Sequence, residues 1–356
     1  MPKYEIPTTM KRLVVTKPGK DVASCQIEVE EVPVPKPKSG EVLVKVIAAP
    51  VNPSDYGEWY RTNPEKYPIT MGKEGCGIVV ASGGGLAASF RVPIGTKVGI
   101  TNLRKGQGTY SEYVTASAST SCFPMPNDVT IEDCASFFVN PYTAVAILDI
   151  VKNKEGCPAF VHTAAASQLG QMIVKLAPFE GVDVINVVRR QEQADILKEL
   201  GAEHIVISKG DNWKEELKTK MKELDATCAF DAVSGDMTGD LLDVLPPKYG
   251  TLYTYGGLAG NCSNINPMDL IYRQKQLKGF MLAHWIKDGG TMSMISRMMS
   301  TANKVNCGLK EDGWASTQFI DTSLEKAHDD IVELLGSSAT GKKLRVRMND
   351  DVSTES

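Results

Sequence analysis

A short run of small residues near the middle of the chain has the spacing of a turn that binds pyrophosphate. The three glycines of the usual G-x-G-x-x-G pattern are represented here by Ala165, Ser167 and Gly170. Small side chains still permit a tight turn, and Ser167 adds a hydroxyl donor. We expect the backbone N–H groups of Ser167, Gln168, Leu169 and Gly170 to face an anion at a helix start, where the helix dipole is favourable. A simple turn between a strand and a helix is the alternative interpretation.

Two arginines, Arg189 and Arg190, follow a segment with the composition of a strand, Asp183–Val188. Dinucleotide folds that prefer NAD place Asp or Glu at this strand end to bind the ribose 2′-hydroxyl, whereas the first carboxylate here is Glu192. Guanidinium groups bind phosphate through charge-assisted, often bidentate hydrogen bonds. The pair therefore predicts NADPH as the cofactor. The alternative is a solvated basic pair in a loop.

The elements around these residues alternate between strands and helices, which is typical of a parallel sheet covered on both faces. Helices are predicted over 168–177 and 191–200. The predicted strands are 159–163, 183–188, 203–207, 228–233, 250–255 and 277–282. Six strands fit a doubly wound dinucleotide-binding fold.

The regions on either side have a different texture. Short strands are predicted at 42–47, 77–81 and 97–100, with proline and glycine between them, which favours a small barrel or sandwich. Near the C-terminus, a helix over 324–335 precedes a final strand over 343–348.

Composition excludes several classes of protein. Hydrophobic content of 42% and charged content of 23% are typical of a globular chain rather than a disordered one. With a net charge of −4, the chain has no overall positive field that would attract nucleic acid, so no nucleic-acid partner is expected. No apolar run approaches the roughly 18 residues of a membrane helix, so no membrane association is expected. The eight cysteines are dispersed without a C-x-x-C pair, which indicates free thiols in a reducing compartment. We expect a cytoplasmic protein, or a mitochondrial one if a transit peptide is missing from this chain.

Several motifs, in this order, resemble the medium-chain dehydrogenase/reductase superfamily: Val51–Asp55, Gly72–Gly77, the turn that ends at Gly170, and Tyr255–Gly257. Within it, the chain looks most like the zinc-free branch of quinone oxidoreductases and 2-enoyl thioester reductases. The segments 186–190, 200–204 and 277–285 are particularly similar to the enoyl reductases.

This resemblance implies an α/β chain in which a doubly wound parallel Rossmann sheet is inserted into a GroES-like β-barrel catalytic domain. The implied limits are 1–138 plus 300–356 for the catalytic domain and 139–299 for the NADP-binding domain. It also implies a homodimer, because such proteins commonly pair their nucleotide domains edge to edge, and the sixth strand is apolar enough for a covered edge. The alternative is a monomer in which the C-terminal segment protects that edge.

The positions that bind zinc in other members of the superfamily are changed. Asn52 and Asn140 stand where those members carry Cys, and Lys73 stands where they carry His. Zinc prefers thiolate, imidazole or carboxylate ligands, so no metal site is expected. Lys73 is interpreted as an exposed or ion-paired loop residue.

The resemblance also implies contacts with the nicotinamide. Asn52 is expected beside the ring. Its side chain is also expected as a cap of the turn before Pro53, and the two roles are compatible. Thr143 is expected to contact the cofactor carboxamide, with a helix-start hydroxyl as the alternative. The segment Tyr255, Gly256 and Gly257 is expected at the carboxyl edge of the sheet, where glycine allows close backbone approach.

A tyrosine past the Asn-Pro-Ser-Asp motif is the general acid implied by the enoyl reductases. Tyr60 is our first choice, followed by Tyr67 and Tyr56. The alternative is that all three simply line the pocket. An ordinary tyrosine, with a pKa near about 10, suits a proton donor at neutral pH. His284 and Trp285 follow the sixth strand. A Trp there could shape the acyl pocket, whereas aromatic residues at that edge are more often packing or dimer contacts.

Together these features predict an NADPH-dependent, zinc-independent reductase of an activated C=C bond, with 2-enoyl thioesters as the first substrate class. Reduction of quinones is the alternative enzymatic function. A structural or regulatory protein that binds NADPH without efficient catalysis is the alternative from another class.

Overall fold

The computed structural model describes residues 4–61, 64–310, 313–336 and 341–348. The chain folds as two compact units. The first unit comprises 1–139 and 305–356, and the second comprises 140–304.

Strands within the described residues are β1 (Thr9–Lys17), β2 (Gln26–Pro33), β3 (Glu41–Pro50), β4 (Ile69–Thr70), β5 (Glu74–Ser82), β6 (Lys97–Thr101), β7 (Tyr113–Ser117), β8 (Cys122–Pro124), β9 (Ala159–Thr163), β10 (Asp183–Val188), β11 (His204–Ile207), β12 (Cys228–Asp231), β13 (Thr251–Thr254), β14 (Gln276–Gly279), β15 (Phe319–Ser323) and β16 (Lys343–Arg347).

The α-helices of the same residues are α1 (Pro53–Arg61), α2 (Leu86–Phe90), α3 (Val139–Asp149), α4 (Gln168–Glu180), α5 (Gln191–Glu199), α6 (Trp213–Glu223), α7 (Asp236–Val244), α8 (Pro267–Ile271), α9 (Leu282–Lys287), α10 (Gly290–Gly308) and α11 (Ala327–Gly336). Two 3₁₀ turns, Pro64–Lys66 and Glu132–Ser136, and a π-helical turn, Ile150–Lys154, complete them. None of these helices is long and apolar enough to cross a membrane.

A six-stranded parallel sheet forms the centre of the second unit. Its strand order is β11-β10-β9-β12-β13-β14, which is the order of a doubly wound dinucleotide-binding sheet and confirms the predicted fold. All five residues of β9 are buried, as expected for a strand covered by helices on both faces. Side chains such as Val161, Ile185, Leu217 and Leu241 form its apolar core.

The sixth strand is shorter than predicted. It ends at Gly279 rather than Leu282, because Met281 is the N-cap residue of α9 and the chain turns helical at Leu282. The apolar residues that suggested a longer strand therefore lie after it. The last helix likewise begins at Ala327 rather than Leu324.

The first unit is built on two sheets whose strands pair antiparallel, except that β15 and β16 pair in parallel. One contains β15-β16-β3-β5-β6-β8, with β7 also paired to β3, and a second contains β2-β1-β4. A core of buried valines and isoleucines lies between them, including Val44, Val79 and Val98. Because β16, β3 and β5 are neighbours, the end of β3 and the starts of β5 and β16 meet at one place.

Candidate functional site

The turn between β9 and α4 has the geometry of a phosphate-binding turn. A Cβ atom at Gly170 would lie 2.0 Å from the carbonyl oxygen of Ala165, so only glycine fits there. Ser167 caps α4, and its Oγ accepts a hydrogen bond of 3.2 Å from the backbone N–H of Gly170. The N–H of Ser167 donates to the carbonyl oxygen of Ala164 at 2.9 Å, so the N–H groups of Ser167 and Gly170 are bound within the turn, and the prediction that they face an anion is wrong. The Ser167 hydroxyl hydrogen and the N–H groups at the start of α4, which begins with Gln168 and Leu169, are the donors that an anion would meet.

A buried carboxylate fixes the neighbouring strand end. Asp231, the last residue of β12, accepts hydrogen bonds from the hydroxyl of Thr163 at 2.8 Å and from the backbone N–H groups of Val233 and Ser234 at 2.9 and 3.1 Å. The Thr163 oxygen in turn accepts from the N–H of Ala232 at 2.9 Å. Asp231 therefore ties the ends of β9 and β12 together, a role that the sequence analysis missed.

Arg189 and Arg190 lie between β10 and α5, beside the phosphate turn. The N–H of Ala165 donates to the carbonyl oxygen of Val187 at 3.4 Å, which links the turn to this strand end. The amide oxygen of Gln193 accepts from the N–H of Arg189 at 3.0 Å and fixes the backbone between strand and helix. The side chain of Arg189 is exposed and that of Arg190 is half-buried.

The segment Tyr255, Gly256 and Gly257 follows β13 at the same edge of the sheet. A Cβ atom at Gly256 would lie 2.5 Å from the carbonyl oxygen of Ala232, so the close approach predicted for glycine is present. The hydroxyl of Tyr255 is 2.6 Å from Nε2 of His162. Burial lowers the pKa of His162 to about 3 and raises the pKa of Tyr255, so both groups are neutral across the physiological range.

Thr143 lies in the interior of α3, and its side chain is buried. Because α3 begins at Val139, the alternative interpretation of Thr143 as a helix-start hydroxyl is wrong. Asn140 is the second residue of the same helix.

Trp285 is a packing residue, since its indole N–H donates to Asp149 at 2.7 Å and its ring contacts the guanidinium of Arg297.

In the first unit, Asn52 lies at the centre of a buried polar network. Its amide Nδ2 donates to Oε1 of Glu74 at 2.9 Å, and its Oδ1 accepts from Nζ of Lys343 at 2.6 Å. The side chain of Asn52 does not cap the turn before Pro53. That role belongs to Asp55, whose Oδ2 accepts from the backbone N–H of Asn52 at 2.8 Å.

Asp55 and Glu74 are both fully buried carboxylates in this network. Burial raises the pKa of Asp55 to about 6, although the N–H of Asn52 and the nearby Lys73 and Lys343 act in the opposite direction. Oε2 of Glu74 accepts from the N–H groups of Phe138 and Val139 at 2.9 and 3.0 Å. The two carboxylates therefore differ, because both oxygens of Glu74 accept hydrogen bonds, whereas Asp55 accepts them through Oδ2 and its Oδ1 has no partner among the described residues.

The three candidate tyrosines lie in and after α1. Tyr56 and Tyr60 are one helical turn apart on the same face, and both are half-buried against the apolar core of the unit. The hydroxyl of Tyr67 donates to the carbonyl oxygen of Trp59 at 2.6 Å, and burial raises its pKa. The proton of Tyr67 is therefore already engaged by the backbone.

The residues at the former zinc positions do not fit that metal. Both polar atoms of the Asn52 amide are bound to Glu74 and Lys343, and Lys73 forms an ion pair with Glu58 at 2.8 Å, as its interpretation as an ion-paired loop residue predicts. Across the described ranges, no three His, Cys, Asp or Glu side chains are grouped so that they could hold a metal ion.

Sequence reasoning did not identify Glu74, Lys343 or Asp231 as site residues. The available signal was a charged residue next to residues of a buried strand. Asp231 ends the apolar run of β12, whereas Lys343 begins β16, in which charged and apolar residues alternate.

Two family profiles match the chain. One, described as the alcohol dehydrogenase GroES-like domain, covers 38–127, and the other, described as zinc-binding dehydrogenase, covers 169–300. Among curated relatives, the mitochondrial enoyl-(acyl-carrier-protein) reductase of Homo sapiens is 31% identical over 272 residues, which are 74% of this chain and 70% of that protein. The Bos taurus protein of the same name is 32% identical over 257 residues, 69% of this chain and 66% of its own length.

Solved structures are similar over nearly the whole chain. A candidate NADPH:quinone reductase from Mesorhizobium loti is 31% identical, with a TM-score of 0.82 over 97% of this chain and 100% of that one. A mycobacterial protein in complex with NADPH is 25% identical, with a TM-score of 0.77 over 95% of this chain and 100% of that one. The predicted Rossmann sheet with a GroES-like domain is confirmed. The chain therefore belongs to the medium-chain dehydrogenase/reductase superfamily, in its zinc-free branch.

Proposed function

We propose that the protein is an NADPH-dependent reductase of activated C=C bonds, with 2-enoyl thioesters as the first substrate class. The cofactor assignment rests on one observation: the phosphate turn and the two arginines follow neighbouring strands, at the same edge of the sheet. The phosphate turn around Ser167 and Gly170 follows β9, and the arginines follow β10. The enoyl reductases among the relatives support the substrate class.

The residues of the second unit fit such a cofactor. The start of α4 would bind the pyrophosphate, and Arg189 with Arg190 would bind the 2′-phosphate. Thr143 would contact the carboxamide, and the backbone of Gly256 and Gly257 would allow close approach. When bound, NADPH supplies the hydride, and the protein must orient it, exclude water and stabilise developing negative charge.

In the first unit, we assign Asn52 to the nicotinamide and Tyr60 to proton donation. A conjugated C=C bond accepts hydride at its β carbon, which leaves an enolate that needs a proton at the α carbon. A neutral tyrosine hydroxyl is a donor at the pH of the cell. We prefer Tyr60 to Tyr67, because Tyr60 lies on α1, the helix that directly follows Asn52.

A side-by-side assay tests the proposal. Crotonyl-type thioesters, alkenals and quinones are each supplied with NADPH, and the loss of NADPH absorbance is followed. We expect the thioesters or alkenals to give the highest kcat/KM. Faster reduction of quinones would instead assign the second function, which the similarity to the Mesorhizobium loti protein favours. NADPH binding without turnover of any acceptor would indicate a structural or regulatory protein.

Independence of zinc is part of the proposal, because the amide of Asn52 and the ammonium of Lys73 are engaged elsewhere. Elemental analysis and assays in a chelator decide it. Stoichiometric zinc with chelator-sensitive turnover would contradict it.

We also propose a homodimer formed along β14, the end strand of the second unit's sheet. Exposed apolar side chains lie on α8, at its C-cap and beyond β14, namely Met268, Leu270, Ile271, Tyr272 and Met281. Light scattering should give twice the single-chain mass of 38.6 kDa, and the single-chain value would refute the dimer.

We propose the cytoplasm as the compartment, with mitochondria as the alternative that the names of the relatives support, and cell fractionation distinguishes them.

A further inference from the structure

Lys343 is a buried lysine at the start of β16, and none of the roles above uses it. Its side chain is 6% exposed, and its Nζ donates to Oδ1 of Asn52 at 2.6 Å and to Oγ of Ser136 at 3.0 Å. Burial lowers the pKa of Lys343, while the carboxylates of Glu74 and Asp55 act in the opposite direction. An amine buried this deeply is retained only with such partners.

Glu74 faces the other end of the same amide. Its Oε1 accepts from Nδ2 of Asn52 at 2.9 Å and lies 3.9 Å from Nζ of Lys343. The Asn52 carboxamide therefore bridges a cation and an anion. A flipped amide would turn its NH₂ group toward the ammonium and its oxygen toward the carboxylate, which low-dielectric surroundings strongly oppose.

The fold explains why these residues meet. Asn52 follows β3, Glu74 begins β5 and Lys343 begins β16, and these are three neighbouring strands of one sheet. The register pairs Arg345 with Pro50, so Lys343 lies near the point where the chain leaves β3 for Asn52.

We propose that Lys343 is a positioning residue that fixes the orientation of the Asn52 amide. With Oδ1 held by Lys343 and one amide hydrogen held by Glu74, the amide has a single orientation, and its second amide hydrogen is the one left to meet the nicotinamide under the proposed function. The proposal rests on the function assigned to Asn52 above. It predicts that Lys343 acts on hydride transfer through Asn52 and not through the stability of the unit.

A double-mutant cycle tests this coupling. Lys343→Met should slow single-turnover hydride transfer at saturating NADPH by about 10²-fold, the scale of a small misplacement of a reacting group, with little change in NADPH affinity. In the Asn52→Ala background the same substitution should change the rate by less than about twofold, because its effect has already been removed. An equal loss in both backgrounds would overturn the proposal.

Two further variants control for folding. Glu74→Gln combined with Lys343→Met removes both charges and leaves neither buried without its partner, so it should fold and show the same slow hydride transfer. If it keeps the parent rate, the proposal is wrong. Lys342→Met makes the same chemical change at an exposed neighbour and should keep the parent rate.

A spectroscopic measurement separates this inference from the proposed function. In protein labelled with ¹⁵N-asparagine, the side-chain signal of Asn52 is identified by its loss in Asn52→Ala. Lys343→Met should shift or broaden that signal without any cofactor present. An unchanged signal would overturn the positioning role. A shifted signal in a protein that reduces no acceptor would instead overturn the proposed function.

Discussion

The phosphate turn of the second unit and the buried polar network of the first unit are built in opposite ways. The turn is made of consecutive residues, and its geometry depends on the backbone and on the absence of a side chain at Gly170. The network is made of side chains from three distant segments, those of Asn52, Glu74 and Lys343. A backbone site tolerates changes of residue type as long as they are small, whereas a charged side-chain network tolerates few changes. The two regions should therefore respond differently to substitution.

The largest effect is expected at Tyr60, in the unit that carries the network. Tyr60→Phe should lower kcat for an enoyl substrate by about 10²–10⁴-fold, the usual value of general acid catalysis, with NADPH affinity nearly unchanged. A quinone needs no protonation at carbon and should be much less affected, which separates the two enzymatic functions with one variant.

Tyr67→Phe is the comparison for that experiment. It should lower stability rather than turnover, because it removes the hydrogen bond to Trp59. If Tyr60→Phe keeps enoyl turnover within a few-fold of the parent, the assignment of Tyr60 is wrong, and Tyr67 and then Tyr56 become the candidates.

The network itself should be sensitive to the loss of one charge. Glu74→Ala removes the acceptor of three hydrogen bonds and leaves the Lys343 ammonium buried without its carboxylate. Such a change costs about 3–5 kcal/mol in free energy of unfolding, measured by urea denaturation.

Glu325→Ala is the matched control, because it removes a carboxylate from an ion pair whose two side chains are each 55% exposed. That pair, with Lys11, is screened by solvent, so its loss should change stability far less than the loss of Glu74. Equal losses of stability in the two variants would contradict the difference between buried and exposed pairs.

The contrast between the regions also explains what the sequence could predict. The strands β9 and β10 were predicted with their observed limits, because buried parallel strands are continuous apolar runs bounded by turn residues. Ala165 and Ser167 stand where the usual pattern has glycine, but the spacing of the turn is unchanged. The partners of Asn52 could not be predicted, because a hydrogen bond between residues 291 positions apart depends on strand order and register. The end of β14 was missed because the apolar run continues into α9.

Asp55 should give the first unit a characteristic dependence on pH. Its pKa is raised from 3.8 to about 6 in the folded protein, so folding favours the protonated form. The unfolding free energy should therefore decrease as pH rises from about 4 to about 6, by about 3 kcal/mol from this group at about 1.4 kcal/mol per unit.

Asp55→Asn should abolish that decrease, as measured by urea unfolding across this range of pH. Asp329→Asn, an exposed carboxylate in the same unit, should leave the parent's profile in place. If the unfolding free energies of the parent protein and of Asp55→Asn change with pH in the same way over this range, the assigned pKa of Asp55 is wrong.

The smallest effect is expected at the phosphate turn's neighbours, Arg189 and Arg190. Under the proposed function, replacing both by Ala would remove charge-assisted hydrogen bonds to the 2′-phosphate, which are worth about 1.5–3 kcal/mol, or about 10- to 150-fold in affinity. NADH lacks that phosphate, so its affinity should change little, and the backbone held by Gln193 should keep the turn folded. Titration of the two cofactors by calorimetry, with Lys198→Ala on the exposed end of α5 as the control, measures the difference. The result would contradict the assignment if the parent bound NADH as tightly as NADPH, or if the double variant weakened both cofactors equally. In the second case the arginines would act through the backbone of the turn and not through the phosphate.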